Sequence, residues 1–350
     1  MLKNRSYHLL NLFALLTLLL SACGGAANSA ASGGVKPTEL HVAAVLSVGP
    51  EQAWDRSFLD SFKRVQNANP HGLKIADITY TENVFGDQAE EVLRGYAQTG
   101  KYDIIWANSS YSDQVKKLRT QFPEIAWVVV GSGNEGMGGN GYYIFQHLHE
   151  PAYLMGMVAG YMTKTNVIGI VSTFPADDVN DVNNAFILGA KSVNANVKAR
   201  VTYIQSWYDP AKGAEAGYAQ IAAGVDQMLM SAEAFDVCTA KKIMCYAHYV
   251  DYYKTAPDAI VLSAIMNFDP SINYVIDQWW NHKTTGAAYN APMDPVWFPM
   301  SKGSSELSSY HNFATTIPQN VQDAVKQKEQ DILSGKFTVP LNLATPKSDS

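Results

Sequence analysis

Apolar residues along this chain occur in two rhythms. Short, nearly continuous apolar runs alternate with longer stretches in which an apolar residue returns every three or four positions. Runs at 40–46, 73–80, 102–106 and 126–130 predict buried strands, and the intervening periodicity predicts helices over 54–65, 88–97 and 113–121. Apolar strands alternating with amphipathic helices predict a parallel sheet covered on both faces. After a central stretch at 147–175 the pattern restarts. It predicts strands at 167–171, 199–204, 225–229, 242–247 and 259–266. Helices are expected over 179–193, 211–223, 234–240 and 272–281, then a loop at 303–311 and a last amphipathic helix over 321–333.

The central stretch joins these two similar halves. Glu150-Pro151 opens a helix there, since proline in the first turn costs no hydrogen bond. Tyr153, Met157 and Tyr161 recur on one face, which reads as core. Gly156 and Gly160 predict close backbone packing against a neighbour. The fold class is therefore α/β, with two lobes, a hinge near 146–150 and an interlobe cleft. Lobe 1 is expected over 39–147 plus about 269–305, and lobe 2 over 148–268 plus about 306–345.

The beginning of the chain adds a location. Lys3 and Arg5 precede an apolar run at 9–20, followed by Leu20-Ser21-Ala22-Cys23-Gly24. Residues 1–22 read as a secretory signal. Cys23 after small residues resembles a bacterial lipobox, in which it would be lipidated; an ordinary signal peptide whose cleavage site precedes a cysteine is the alternative. Residues 23–38 are rich in Gly, Ala, Ser and Asn and read as a flexible tether. The expected body thus stands outside the cytoplasm on a membrane anchor. The 350 residues suffice for two domains, and a net charge of -6 argues against a nucleic-acid partner. Cys238 and Cys245 are either a disulfide or two buried thiols.

Chemical motifs are weak. Gly131 to Gly136 matches G-x-G-x-x-G, but an extended Tyr-rich run follows it where a phosphate site needs a helix. His147 and His149, with His248, could offer imidazoles to a metal. No acidic or cysteine cluster is evident around them, and no metal is expected. The chain contains no G-x-S-x-G elbow, and Asp177-Asp178 and Glu90-Glu91 read as solvated helix positions. No cofactor or catalytic centre is expected. Aromatic residues, by contrast, collect just past strand ends: Trp54, Phe174, Trp207, Tyr249 and Phe268. That is the cleft side of such sheets, where rings can clamp a flat ligand.

Several segments, in order, resemble the basic membrane protein (PnrA-like, Med-like) family of substrate-binding lipoproteins. They are Glu82-Asn83-Val84, Glu150 to Gly156, Met162 to Thr165, Phe174-Pro175, Asn184 to Asn194, and Trp207-Tyr208-Asp209-Pro210-Ala211-Lys212. The resemblance implies a type I periplasmic binding protein with three chain crossings, closing on a purine base or nucleoside for an ABC permease. It implies a monomer, with Trp54 and Trp207 as stacking rings and Asp251 in the pocket. Asn267, Phe174, Gln146, Ser110 and Tyr249 complete the expected lining. Nucleoside-binding members carry a Lys where this chain has Asn267, and an Asp-x-Ser-Phe-Asn run where it has residues 50–55. Those departures lean toward a free base. A surface sensor signalling to a membrane receptor, or an enzyme on the same scaffold, are the alternatives.

Overall fold

A computed structural model describes residues 36–133 and 135–349; the expected signal, Cys23 and all but the end of the tether lie outside the described residues. The chain opens with β1 (Glu39–Leu40), β2 (Val42–Leu46), α1 (Ala53–Ala68), β3 (Lys74–Ile75), β4 (Thr79–Thr81) and α2 (Gln88–Gln98). It continues through β5 (Ile104–Asn108), α3 (Ser112–Arg119), β6 (Ala126–Val130) and β7 (Gly141–Gln146). Next come α4 (His149–Met162), β8 (Val167–Ser172), α5 (Asp177–Val193), β9 (Lys198–Tyr203), α6 (Pro210–Ala222) and β10 (Gln227–Met230). α7 (Asp236–Lys241), β11 (Met244–Tyr249), β12 (Ile260–Met266) and α8 (Asp269–Thr285) follow. The last elements are β13 (Val296–Phe298), β14 (Ser305–Leu307) and α9 (Gln319–Leu333).

Two six-stranded sheets result, ordered β4-β2-β5-β6-β7-β13 and β9-β8-β10-β11-β12-β14. Each has its second strand outside its first and the rest following in sequence, so the lobes repeat one plan. All pairings are parallel except β12 with β14, which is antiparallel. The parallel strands are buried on both faces, which is why β2, β5 and β6 read as unbroken apolar runs. The chain passes between the sheets after β7, after β12 and between β13 and β14.

In the second lobe α4 and α5 touch backbone to backbone. A Cβ on Gly156 would lie 2.1 Å from the Phe186 carbonyl oxygen, and one on Gly189 2.0 Å from that of Tyr153. Gly160 meets Ala190 in the same way, as the sequence pattern predicts. Tyr153 and Met157 are core, but Tyr161 is 43% exposed, because it lies at the end of α4 beyond the α5 contact.

Two further expectations are corrected. The region 73–80 is two short strands, β3 paired with β1 and β4 paired with β2. The loop expected at 303–311 contains β14, and β13 had no sequence signal. Three residues cannot display a period, and these edge strands owe their form to pairing with β12 and β7. Cys238 and Cys245 are bonded, tying α7 to β11 with Cα atoms 6.1 Å apart.

Candidate ligand site between the lobes

In a sheet whose order reverses beside its first strand, loops leave in opposite directions there and open a crevice at the carboxyl ends. Both lobes turn that end toward the other. Ser47, Ser109, Gly131 and Ser132 follow β2, β5 and β6; Thr173 and Ser231 follow β8 and β10; His248 and Tyr249 end β11. With Gln52, Trp54, Asp178 and Trp207 these residues line one narrow cavity, closed down to about 20 Å³. A smaller hollow shares Trp54, Gly131, Asp178 and Tyr249 and reaches Gln146.

The lobes are closed around it. Gln52 Nε2 donates to the Trp207 carbonyl at 3.2 Å, and the Ala53 N–H donates to Glu233 Oε1 at 3.2 Å. On the opposite rim, Ser132 Oγ donates to Asp178 Oδ1 at 2.5 Å, and the Gly133 N–H reaches the Asp177 carboxylate. Three strand ends in lobe 2 carry non-glycine residues in the left-handed region: Gln205 (φ 56°), Glu233 (φ 57°) and Tyr249 (φ 77°). Such backbone is costly for a residue with a Cβ and persists where surrounding contacts enforce it. Here the positions bend the chain back along the cleft.

Trp54 is held rigidly. Its Nε1–H donates to the Asn108 carbonyl at 3.0 Å, and its ring meets Tyr249 edge-on with centroids 5.3 Å apart. Trp207 rests against Phe174 at 4.8 Å. The structure thus brings Trp54, Trp207 and Tyr249 to one cavity, with Phe174 behind Trp207 and Gln146 in the adjoining hollow. Other predicted residues lie elsewhere. Asp251 is exposed and accepts from His311 Nε2 at 2.8 Å. Asn267 bridges Arg64 and the Gly303 carbonyl at the second crossing. Ser110 opens onto a separate surface hollow with Lys116 and Glu135, one residue past Ser109, which does line the cleft.

Sequence reasoning missed the hydroxyls. Ser47, Ser109, Thr173 and Ser231 each stand directly after a strand, and Ser132 stands one residue further; that repetition was the available signal. Several polar atoms on the cavity residues have no protein partner: Gln52 Oε1, Ser231 Oγ and both nitrogens of His248. Burial lowers the His248 pKa to about 3, so its ring is neutral and offers one donor and one acceptor. It hydrogen-bonds to neither Ser231 nor Asp178.

Carboxylates around the cleft respond to desolvation. Protein closes around Asp178, and burial raises its pKa to about 7 against the Ser132 hydrogen bond. Asp55 is raised to about 6 by burial, opposed by the Val48 N–H, the Asn108 amide and the Gly49 N–H. It braces the 47–52 loop from beneath. The histidines at the first crossing also differ from expectation. Glu150 and Asp181 stand beside His147 and His149, supplying the acidic groups not evident in the sequence. His248 is separate from them, in the ligand cavity.

A family model described as ABC transporter substrate-binding protein, PnrA-like, matches residues 42–291. The chain is 26% identical over 305 residues to a purine-binding protein of Brucella abortus, covering 84% of this chain and 82% of that one. It is also 26% identical over 268 residues to a candidate ABC transporter glucose-binding protein of Haloferax volcanii, covering 74% and 64%. Among solved structures, an ABC transporter solute-binding protein from Aeropyrum pernix superposes with a TM-score of 0.69 at 16% identity, over 87% of this chain and 94% of that one. That likeness is one of fold: two lobes of parallel sheet.

Proposed function

Since the chain belongs to the PnrA-like family of ABC transporter substrate-binding proteins, we propose that its ligand is a planar, purine-type heterocycle, a base or nucleoside. The reading rests on one observation. The interlobe cavity is walled by Trp54, Trp207 and Tyr249 and carries uncommitted donors and acceptors from Gln52, Ser231 and His248. Rings grip the faces of a flat ligand, and mixed polar atoms read its edge. The similarity to a purine-binding relative over most of both chains supports it. Closure of the lobes would present the loaded form to the permease, and no hydrolysis or group transfer is expected.

The anchor completes this proposal. On this proposal lipidated Cys23, which lies outside the described residues, holds the chain at the membrane. No described helix is long and apolar enough to cross a membrane.

The test is mass spectrometry of the compound released when purified protein is denatured, followed by calorimetry with adenine, adenosine and glucose. A released purine, or micromolar or tighter binding of adenine or adenosine with none of glucose, is the expected result. A bound sugar would sink the purine reading while leaving the transport role intact, and the relative from Haloferax makes that arm worth running.

A further inference from the structure

His147 leaves β7 at the first crossing, and His149 and Glu150 begin α4. One nitrogen of each ring and one Glu150 oxygen lie within 4.8 Å of one another. Asp181, on the second turn of α5, places Oδ2 3.5 Å from His149 Nδ1. His149 and Asp181 are almost fully buried, at 1% and 2% exposure.

Both rings are oriented from behind. His147 Nδ1 lies 3.1 Å from Glu150 Oε1, a contact that puts its proton there and leaves Nε2 bare; that atom is buried with no partner. One nitrogen of His149 bonds to the Val339 backbone, and its Nδ1 is buried without a partner. Glu150 is itself fixed through Oε2 by the Met300 N–H at 2.6 Å. Metal-binding imidazoles are held in this way, one nitrogen donating to a carboxylate or carbonyl while the other presents its lone pair. No lysine or arginine among the described residues pairs with Asp181. A buried group of facing lone pairs is relieved either by a proton or by a cation that displaces it.

We propose that His147, His149 and Asp181, with Glu150 orienting His147, form a site for a divalent transition-metal ion at the first crossing. Two imidazoles with carboxylate oxygens suit zinc-type ions better than magnesium or calcium, which take oxygen donors alone. Donor atoms around a tetrahedral zinc stand about 3.3 Å apart, so the side chains must draw closer to complete the site. The ion ties the crossing segment to α5, whose N-terminal Asp177 and Asp178 also meet the opposite rim of the ligand cleft.

The experiment uses the untagged mature chain, stripped with chelator and titrated with Zn²⁺ by calorimetry, and with Co²⁺ by visible absorption. One-to-one uptake at micromolar or lower concentration is expected, with visible cobalt bands and a raised thermal midpoint. His147→Gln removes a half-buried ligand, and Asp181→Asn keeps the shape while removing charge. Each should weaken zinc by about tenfold or more. Circular dichroism of the metal-free variants establishes that they fold, and a fully folded His147→Gln suffices if Asp181→Asn does not. No stoichiometric uptake, or uptake unchanged in a folded variant, would overturn the site, the latter assigning the ion to other histidines such as His71 or His311. The readout is independent of which solute the cleft takes.

Discussion

Trp207 leans on Phe174 at the cleft wall and keeps partial exposure, so truncating it removes a face of the site without opening a core. Trp207→Ala is expected to weaken ligand binding about tenfold or more, from a stacking contribution of roughly 1–3 kcal/mol, with the thermal midpoint little changed. Calorimetry beside a melting curve checks both; unchanged affinity would refute the clamp. Asp178 makes a prediction about pH. Its folded pKa, about 7, lies above the ordinary 3.8, so the folded, closed form holds the proton more tightly than the unfolded chain. The stability it contributes is full below about pH 4 and is lost as pH rises through about 7. Asp55, raised to about 6, adds the same sign. His248, lowered to about 3, acts oppositely: its contribution is present above about 6.5 and lost as pH falls toward 3. Melting curves between pH 5 and 8 should show a decline with rising pH that Asp178→Asn reduces. An identical slope in the variant would remove Asp178 from this account.

Helix packing in lobe 2 depends on absent side chains. With a Phe186 oxygen 2.1 Å from where its Cβ would be, Gly156→Ala must push α4 off α5, at a cost of about 1–3 kcal/mol. Gly95, on the exposed face of α2, has nothing within 4 Å of such an atom. Gly95→Ala should therefore stabilise by about 0.5–1 kcal/mol, through helix propensity alone. Urea unfolding of the pair separates a packing effect from an intrinsic one, and equal shifts would count against the close approach. The disulfide is another element-scale constraint. It spans only 7 positions from α7 to β11, and a loop that short contributes about 2–3 kcal/mol when closed. Replacing both cysteines by serine should lower stability by that order and leave ligand affinity unchanged, since neither lines the cavity.

At the scale of the whole molecule, the lobes are held closed by few bonds: Gln52 to Trp207, Ala53 to Glu233, and Ser132 and Gly133 to the two aspartates. The hinge is fastened separately. Arg64 on α1 reaches Asn267 and Asp269 at the second crossing, and Asn267 bonds onward to Gly303 near the third. Small-angle scattering should show a larger radius of gyration without ligand and contraction on its addition. Disrupting the rim with Ser132→Ala and Glu233→Gln should shift the ligand-free protein toward the open form. A radius unaffected by ligand would mean that closure does not accompany binding.

The α/β alternation, the two-lobed plan and the backbone contact at Gly156 and Gly160 were legible in the sequence. Buried parallel strands must be continuously apolar, and close helices must lack side chains where they touch. Three-residue β13 and β14 were not legible, because such strands are defined by their partners and not by their own period. At the cleft, the aromatic residues Trp54, Trp207 and Tyr249 were visible as large side chains past strand ends. Asp251 and Asn267 satisfy the same rule, yet the fold spends them on His311 and on the crossing. Position along a strand determines which end of the sheet a residue reaches; which way it turns there depends on contacts far away in sequence. Glu233 meeting Ala53 and Asp178 meeting Ser132 are of that kind. Local periodicity therefore determined the architecture, and only lobe closure decided which polar atoms are left facing the cavity.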